Sequence, residues 1–218
     1  MPLEKAASAI RKGKPTTARF EGNLSERSIH LCVDMQRLFA PEGPWPTPWM
    51  ELALPKIINL SARHTKRTVF TRFIPPLDAD DLPGQWRRYY DRWRWVTRRR
   101  VDPKLLELVP PLQEFSPPAV VIDKPVYSPF LGRKLRLLLG ERRADALVIS
   151  GGESEVCVLA TVLGAMDLGY RVIIAGDAIC SSSDMGHDAF ITIMHTRFSE
   201  QIEIATTDEI MDAWDATR

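Results

Sequence analysis

The 218-residue sequence has only three cysteines, four histidines and a formal net charge of +1. Three cysteines cannot all pair, and no C-x-x-C spacing occurs, so neither a disulfide scaffold, a zinc knuckle nor a dithiol redox motif is supported. None of His30, His64, His187 and His195 has partners at metal-ligand spacing. No apolar run approaches the ~18 residues of a membrane span. The basic start, Met1 to Phe20, lacks the apolar core of a secretory signal. The near balance of charge excludes a general nucleic-acid coat. With 44% hydrophobic and 26% charged residues, the composition excludes a collagen, a coiled coil and a mostly disordered chain. The expectations are a cytoplasmic protein with reduced thiols, no membrane contact and no nucleic-acid partner.

What is present is an alternation of apolar runs and helical patterns. Ile29-His-Leu-Cys-Val-Asp34, Thr68–Phe73, Ala119–Asp123, Ala146–Ser150, Arg171–Ala175 and a run near Gln201–Ala205 read as strands. Between them, helices are expected from Thr47-Pro48 to about Lys66, from Phe130 to Leu139, from Val156 to Leu168 and from Asp184 to about Arg197. Strands alternating with helices imply right-handed βαβ units and a mostly parallel sheet, hence an α/β fold. Residues 1–25 are expected to form a basic, mobile arm, and 26–218 one domain. Residues 74–118 interrupt the rhythm. Within them, the stretch Trp86–Arg100 holds seven arginines, three tryptophans and two tyrosines against one aspartate. Such a segment reads as a lid or a subunit surface, with an anion-attracting rim and an RNA-binding patch as the lesser alternatives. Its three tryptophans look hard to cover within one domain, so a homo-oligomer, dimer or tetramer, is expected.

Ligands of an open parallel sheet bind beyond the carboxyl ends of its strands. Three reactive side chains fall there. Asp34 closes the first strand, Lys124 follows the third, and Cys157 follows the fourth after Gly151-Gly152. A cysteine at a helix start gains thiolate character, a lysine adds to it, and an aspartate can take the proton. Each also has an ordinary reading: a buried small hydrophobe, a solvated amine, a capping carboxylate. Spacing alone leaves both open. Cys32 and Cys180 read as buried small hydrophobes.

Ile29–Phe39, Lys124-Pro-Val-Tyr-Ser-Pro-Phe130 and Val148-Ile-Ser-Gly-Gly-Glu-Ser-Glu-Val-Cys-Val158 occur in order, followed by Ala160-Thr161, Gly169-Tyr170 and Asp177-Ala178. Together these segments, over roughly residues 28–210, resemble the isochorismatase-like cysteine hydrolases, which include isochorismatases, nicotinamidases and N-carbamoyl amidohydrolases. The resemblance implies a Rossmann-like three-layer αβα fold and a catalytic triad of Asp34, Lys124 and Cys157. It also implies a cis Gly152–Glu153 peptide and an oxyanion hole from the backbone N–H groups of Glu153 and Cys157. Phe39 and Phe130 would flank the mouth of the site. His187 is expected to order the start of its helix. Nicotinamidases of the family hold a metal through an aspartate and two histidines around the second strand. Thr71-Arg-Phe-Ile-Pro-Pro76 has no histidine, so neither a metal nor another cofactor is expected, and nicotinamide is disfavoured. The function implied is metal-independent cleavage of a C–N bond in a small amide or carbamoyl compound through a thioester. Isochorismatase-type vinyl ether hydrolysis is the same-fold alternative. A thiol peroxidase and a non-catalytic binding module are the alternatives of other classes.

Overall fold

The computed structural model describes residues 18–216. Six parallel strands form one sheet: β1 (Ile29–Val33), β2 (Thr68–Phe73), β3 (Val120–Lys124), β4 (Ala146–Gly152), β5 (Arg171–Cys180) and β6 (Ile202–Ala205). Their order is β3-β2-β1-β4-β5-β6. Seven α-helices accompany them among the described residues: α1 (Met50–Arg63), α2 (Gln85–Arg92), α3 (Pro110–Gln113), α4 (Arg133–Glu141), α5 (Leu159–Asp167), α6 (Asp184–Arg197) and α7 (Thr207–Asp215).

The period of two along each strand separates two cores. Cys32, Phe70, Val148 and Ile173 pack with Ile57 and Leu60 of α1 and Trp214 of α7. Leu31, Val33, Ile149 and Ile174 point the other way, onto Leu135 of α4, Val162 of α5 and Phe190 and Met194 of α6. The result is the three-layer αβα architecture expected from the sequence. Both β1 and β4 are buried along their whole length, which is why they read as continuous apolar runs.

Several boundaries differ from the sequence reading for local reasons. Helix α1 begins at Met50 rather than at Thr47-Pro48: the Thr47 carbonyl accepts from the Met50 N–H in a turn at 2.9 Å, and the first helical bond runs from Ala53 to Trp49. Helix α4 begins at Arg133 and runs through Gly140, and the left-handed residue that ends it is Arg143, with φ of 50°. Strand β5 continues past Gly176 to Cys180, pairing Gly151 with Ile179 and Gly152 with Cys180 beyond an irregularity in the ladder. Helix α7 was not anticipated, although Thr206 and Glu209 form a reciprocal capping box at its start.

Residues 1–17 of the expected arm lie outside the described residues. Residues 18–25 pack against the domain. Arg19 bridges to Ile204 on the edge of β6, Leu24 is fully buried, and Arg171 donates to the Gly22 and Asn23 carbonyls at 2.7 and 3.0 Å.

The 74–118 insertion builds its own small core over the end of β2. Leu38, Phe73, Tyr90, Val96 and Leu106 are buried there, with Trp45, Trp86, Tyr89 and Trp93 packed against them. Of the three tryptophans expected at a subunit surface, two are partly covered within the chain. The chain half-buries Trp86 and Trp93 by itself, and Trp95 stays 41% exposed. Gln36 fastens the insertion to the sheet, donating to the Phe73 and Leu106 carbonyls at 3.1 and 2.8 Å and accepting from the Phe73 N–H at 2.7 Å.

Candidate active site

The strand order reverses between β1 and β4, because the chain winds outward from β1 in one direction and from β4 in the other. That reversal opens a crevice at the carboxyl ends of these two strands. Asp34 follows the last residue of β1, and the turn carrying Cys157 follows β4. The two strand ends approach closely at Gly151, which has φ of 102°; a Cβ there would lie 2.1 Å from the Val33 carbonyl oxygen. Only glycine meets both demands. The next peptide, Gly152–Glu153, is cis.

Asp34 also adopts a left-handed backbone, with φ of 50°. This turns its side chain off the strand line, and Thr71 secures it: the Thr71 hydroxyl donates to Asp34 Oδ1 at 2.6 Å. Lys124, the last residue of β3, crosses from the sheet edge and places Nζ 2.6 Å from Asp34 Oδ2 and 3.5 Å from Cys157 Sγ. A third bond, to the Val126 carbonyl at 3.1 Å, fixes the ammonium. Side chains from the residue after β1, the last residue of β3 and the turn after β4 thus meet in one buried cluster.

The electrostatics of the cluster differ from the expectation of a ready-made thiolate. Burial is the largest influence on the Cys157 thiol and pushes it well up; the Asp34 charge pushes it further, and Lys124 pulls it down only in part. Burial works against the Lys124 ammonium, but the neighbouring Asp34 charge and the Cys157 sulfur outweigh it and hold the amine above its ordinary value. The physical reason is that Lys124 is already neutralised by Asp34 at contact distance. Little of its field is left to draw a proton off sulfur. Cys157 also starts no ordinary helix. It sits in a π-helical turn, Ser154–Val158, that precedes α5.

This turn is anchored from α6. The Ser154 hydroxyl donates to the Cys180 carbonyl at 3.1 Å, so its contact with His187 Nδ1 at 3.0 Å is one in which the imidazole donates. The His187 ring also packs on Trp49, at 4.6 Å between centroids. His187 thus ties the start of α6 to the turn that carries Cys157, beyond ordering its own helix. Glu155, in the same turn, accepts from the Ser181 hydroxyl at 2.7 Å.

Cys157 forms part of the floor of a cavity of about 380 Å³, walled by Phe39, Trp45, Phe73, Tyr89, Trp93 and Tyr127, with Glu153 and Ser182 at one side. Two larger depressions, about 520 Å³ each, lie away from the triad and touch none of its residues. Phe39 lines the cavity as expected. Phe130 does not: it is buried beneath α5, where Gly164 leaves it room, and it stacks on Tyr170 at 6.4 Å. Tyr127, three residues earlier in the same segment, takes the place at the mouth. The sequence reading also missed Thr71 and the Glu153 side chain. Cys32 and Cys180 are fully buried, away from the cavity wall. Among the described residues, no group of three His, Cys, Asp or Glu side chains is placed to hold a metal.

The isochorismatase domain family model matches residues 28–206. An uncharacterised isochorismatase family protein, PncA of Bacillus subtilis, is 34% identical over 74 residues, 34% of this chain and 40% of that protein. The N-carbamoylsarcosine amidase of Arthrobacter sp. is 27% identical over 164 residues, 70% of this chain and 59% of that enzyme. The matches therefore span 40–59% of the length of these curated relatives. Among solved structures, a cysteine hydrolase of Pseudomonas syringae superposes with a TM-score of 0.78 at 22% identity, covering 94% of this chain and 100% of that one.

Proposed function

The chain belongs to the isochorismatase family, and from that premise we propose that it is a cysteine hydrolase cleaving a C–N bond of a small amide or carbamoyl compound. The observation that carries the proposal is the buried contact of Lys124 with both Asp34 and Cys157, at the floor of a cavity large enough for a small substrate.

In this reading Cys157 is a neutral thiol in the free enzyme. Asp34 accepts its proton as sulfur attacks the carbonyl carbon, so deprotonation and attack are coupled. The new oxyanion is met by the backbone N–H groups of Glu153 and Cys157. Collapse of the adduct breaks the C–N bond, and the proton on Asp34 leaves with the amine. Water then attacks the thioester, giving its proton to Asp34. The acid is released as the thiol recovers that proton. Lys124 remains charged throughout and holds the carboxylate in place.

The cavity wall argues against the vinyl ether alternative. That substrate carries carboxylates, and the one ammonium at the site, Lys124, is already occupied by Asp34. A non-catalytic module has no use for three buried, mutually positioned reactive groups. The test is an ammonia-release screen over amides, ureides and N-carbamoyl compounds, with Cys157→Ala as the control. Release of ammonia that the control lacks supports the proposal. Turnover undiminished in Cys157→Ala overturns the thioester route.

A further inference from the structure

We propose that the substrate of this site carries a weakly hydrated cationic group, a quaternary ammonium or an N-alkylated ring nitrogen, held by the aromatic wall and Glu153. This rests on the amidase reading and names its substrate class.

The chemistry of the wall is the first argument. Six aromatic side chains surround a space of about 380 Å³. Phe39 stacks on Trp45, at 21° and 6.1 Å between centroids, and the rings beyond them stand at an angle. Trp45 meets Trp93 edge-on at 83°, Tyr89 at 55° and Phe73 at 48°, with centroids 5.6, 6.3 and 6.4 Å away. Rings set at such angles turn faces, and therefore negative quadrupole lobes, in several directions around one volume. Two of the rings already face cations of the protein itself: Lys124 Nζ lies 5.3 Å from the Phe73 centroid, and the Arg92 guanidinium carbon 5.4 Å from Trp93. Such walls favour cations with diffuse charge over compact, strongly hydrated ones.

The charge of the site is the second argument. Outside Asp34, Lys124 and Cys157, Glu153 is the only acidic or basic residue among the described residues that line the cavity. It is half-buried, and burial pushes its carboxyl up, opposed by hydrogen bonds from Ser182. The neighbouring Glu155 charge adds to that push. A half-buried carboxylate beside a second acidic side chain is costly, and a bound cation would offset that cost.

The arginines supply the third argument by where they are. None of the seven between Arg87 and Arg100 lines the cavity. Arg87, Arg94 and Arg99 pair with Asp80, Asp91 and Asp78 at 3.2, 2.8 and 2.6 Å, and Arg98 donates to the Pro75 carbonyl. The segment that looked like an anion-attracting rim pairs its charge outside the cavity and turns two of its rings, Tyr89 and Trp93, into it. A substrate anion would meet only Glu153 and Lys124, which is already paired with Asp34.

The test compares three small amides in the full chain: trimethylammonioacetamide, its neutral isostere 3,3-dimethylbutanamide, and the anion malonamate. Dissociation constants are read on Cys157→Ala from the quenching of tryptophan fluorescence, at matched ionic strength; ammonia release is read on the unaltered enzyme. We expect the cation to bind at least about tenfold more tightly than the isostere, with the anion weakest. Glu153→Gln should cut that preference several-fold, and Trp93→Leu should cut it through a different wall. A preference equal for cation and isostere, a tighter neutral ligand, or a preference unchanged in both variants overturns the proposal. Tight cation binding without ammonia release overturns the amidase reading and leaves the cation preference standing. Ammonia release from the neutral amide alone overturns the cation preference and leaves the amidase reading standing.

Discussion

Lys124 Nζ stands 2.6 Å from Asp34 Oδ2, and the two side chains are only 3% and 1% exposed. A buried ion pair of this kind contributes little net stability while intact, but removing one partner leaves a charge stranded in the interior. This contact joins the far edge of the sheet to its centre, since Lys124 ends β3 and Asp34 follows β1.

The first prediction separates the two members of that pair. Asp34→Asn keeps the shape and loses proton acceptance, so turnover should fall by ~10²–10⁴-fold. Lys124→Met should lose turnover too, and should also cost about 3–5 kcal/mol of stability in urea, because Asp34 is left charged and buried. Their effects on the thiol oppose each other. Removing the carboxylate eases formation of the thiolate, and removing the ammonium hinders it. Thiolate absorbance near ~240 nm against pH, taken as the difference from Cys157→Ala, reads both. Shifts of the same sign in the two variants would contradict the assigned roles.

The second prediction concerns the three thiols. Cys32 and Cys180 are fully enclosed, and burial pushes Cys32 up to about 12 and Cys180 higher still. Cys157 is also pushed up, yet it alone borders the cavity. Iodoacetamide at limiting concentration should therefore label Cys157 first. Because the thiol is neutral at rest, the rate should still be climbing above pH ~8.5, where a free cysteine is half ionised. A rate that levels off near neutrality would show a preformed thiolate.

Much of this site was legible because strand ends are legible. Ile29–Val33 and Ala146–Ser150 are apolar runs closed by a polar residue or a Gly-Gly step, and a parallel sheet puts such ends on one edge. The cavity wall was not. Trp45, Tyr89, Trp93 and Tyr127 come from three separate segments, and nothing in their spacing says which rings will meet. The thiol's environment was misjudged for a related reason. Its position after a strand suggested a helix-start thiolate, but burial is set by what packs over the turn, which only the folded chain reveals. Thr71 was hidden inside an apolar strand whose hydroxyl looked like ordinary strand composition.

The third prediction tests the approach of β1 and β4. Gly151 combines φ of 102° with a Cβ position 2.1 Å from the Val33 oxygen, whereas Gly169 has φ of 77° and open space around it. Gly169→Ala should cost only the backbone term, about 1 kcal/mol. Gly151→Ala carries that strain and a clash with backbone that cannot turn aside, so it should cost clearly more and reduce turnover by displacing the Cys157 turn. Equal losses of thermal midpoint in the two variants would show that the close approach does not matter.

The last prediction concerns acid stability and His30. This side chain is fully buried in the middle of the sheet. The Thr68 hydroxyl already donates to the His64 carbonyl at 3.0 Å, so His30 Nδ1 donates to Thr68 and Nε2 accepts from Ser150 at 2.8 Å. The ring is thus held as one neutral tautomer. Burial is the main reason, with repulsion from His64 added, that its pKa falls from 6.5 to about 3. In the unfolded chain the same ring is protonated below ~6.5, so between that pH and about 3 the unfolded state binds a proton that the folded state refuses. Stability due to this residue is therefore full above ~6.5 and falls as pH drops, by about 1.4 kcal/mol per pH unit. His30→Gln keeps an uncharged group able to hydrogen-bond and removes the titration. Urea unfolding from pH ~6.5 down to ~4.5 should show a steeper loss in the unaltered protein than in the variant, by roughly that slope. Parallel pH profiles would show that His30 accepts its proton in the folded protein as readily as in the unfolded chain.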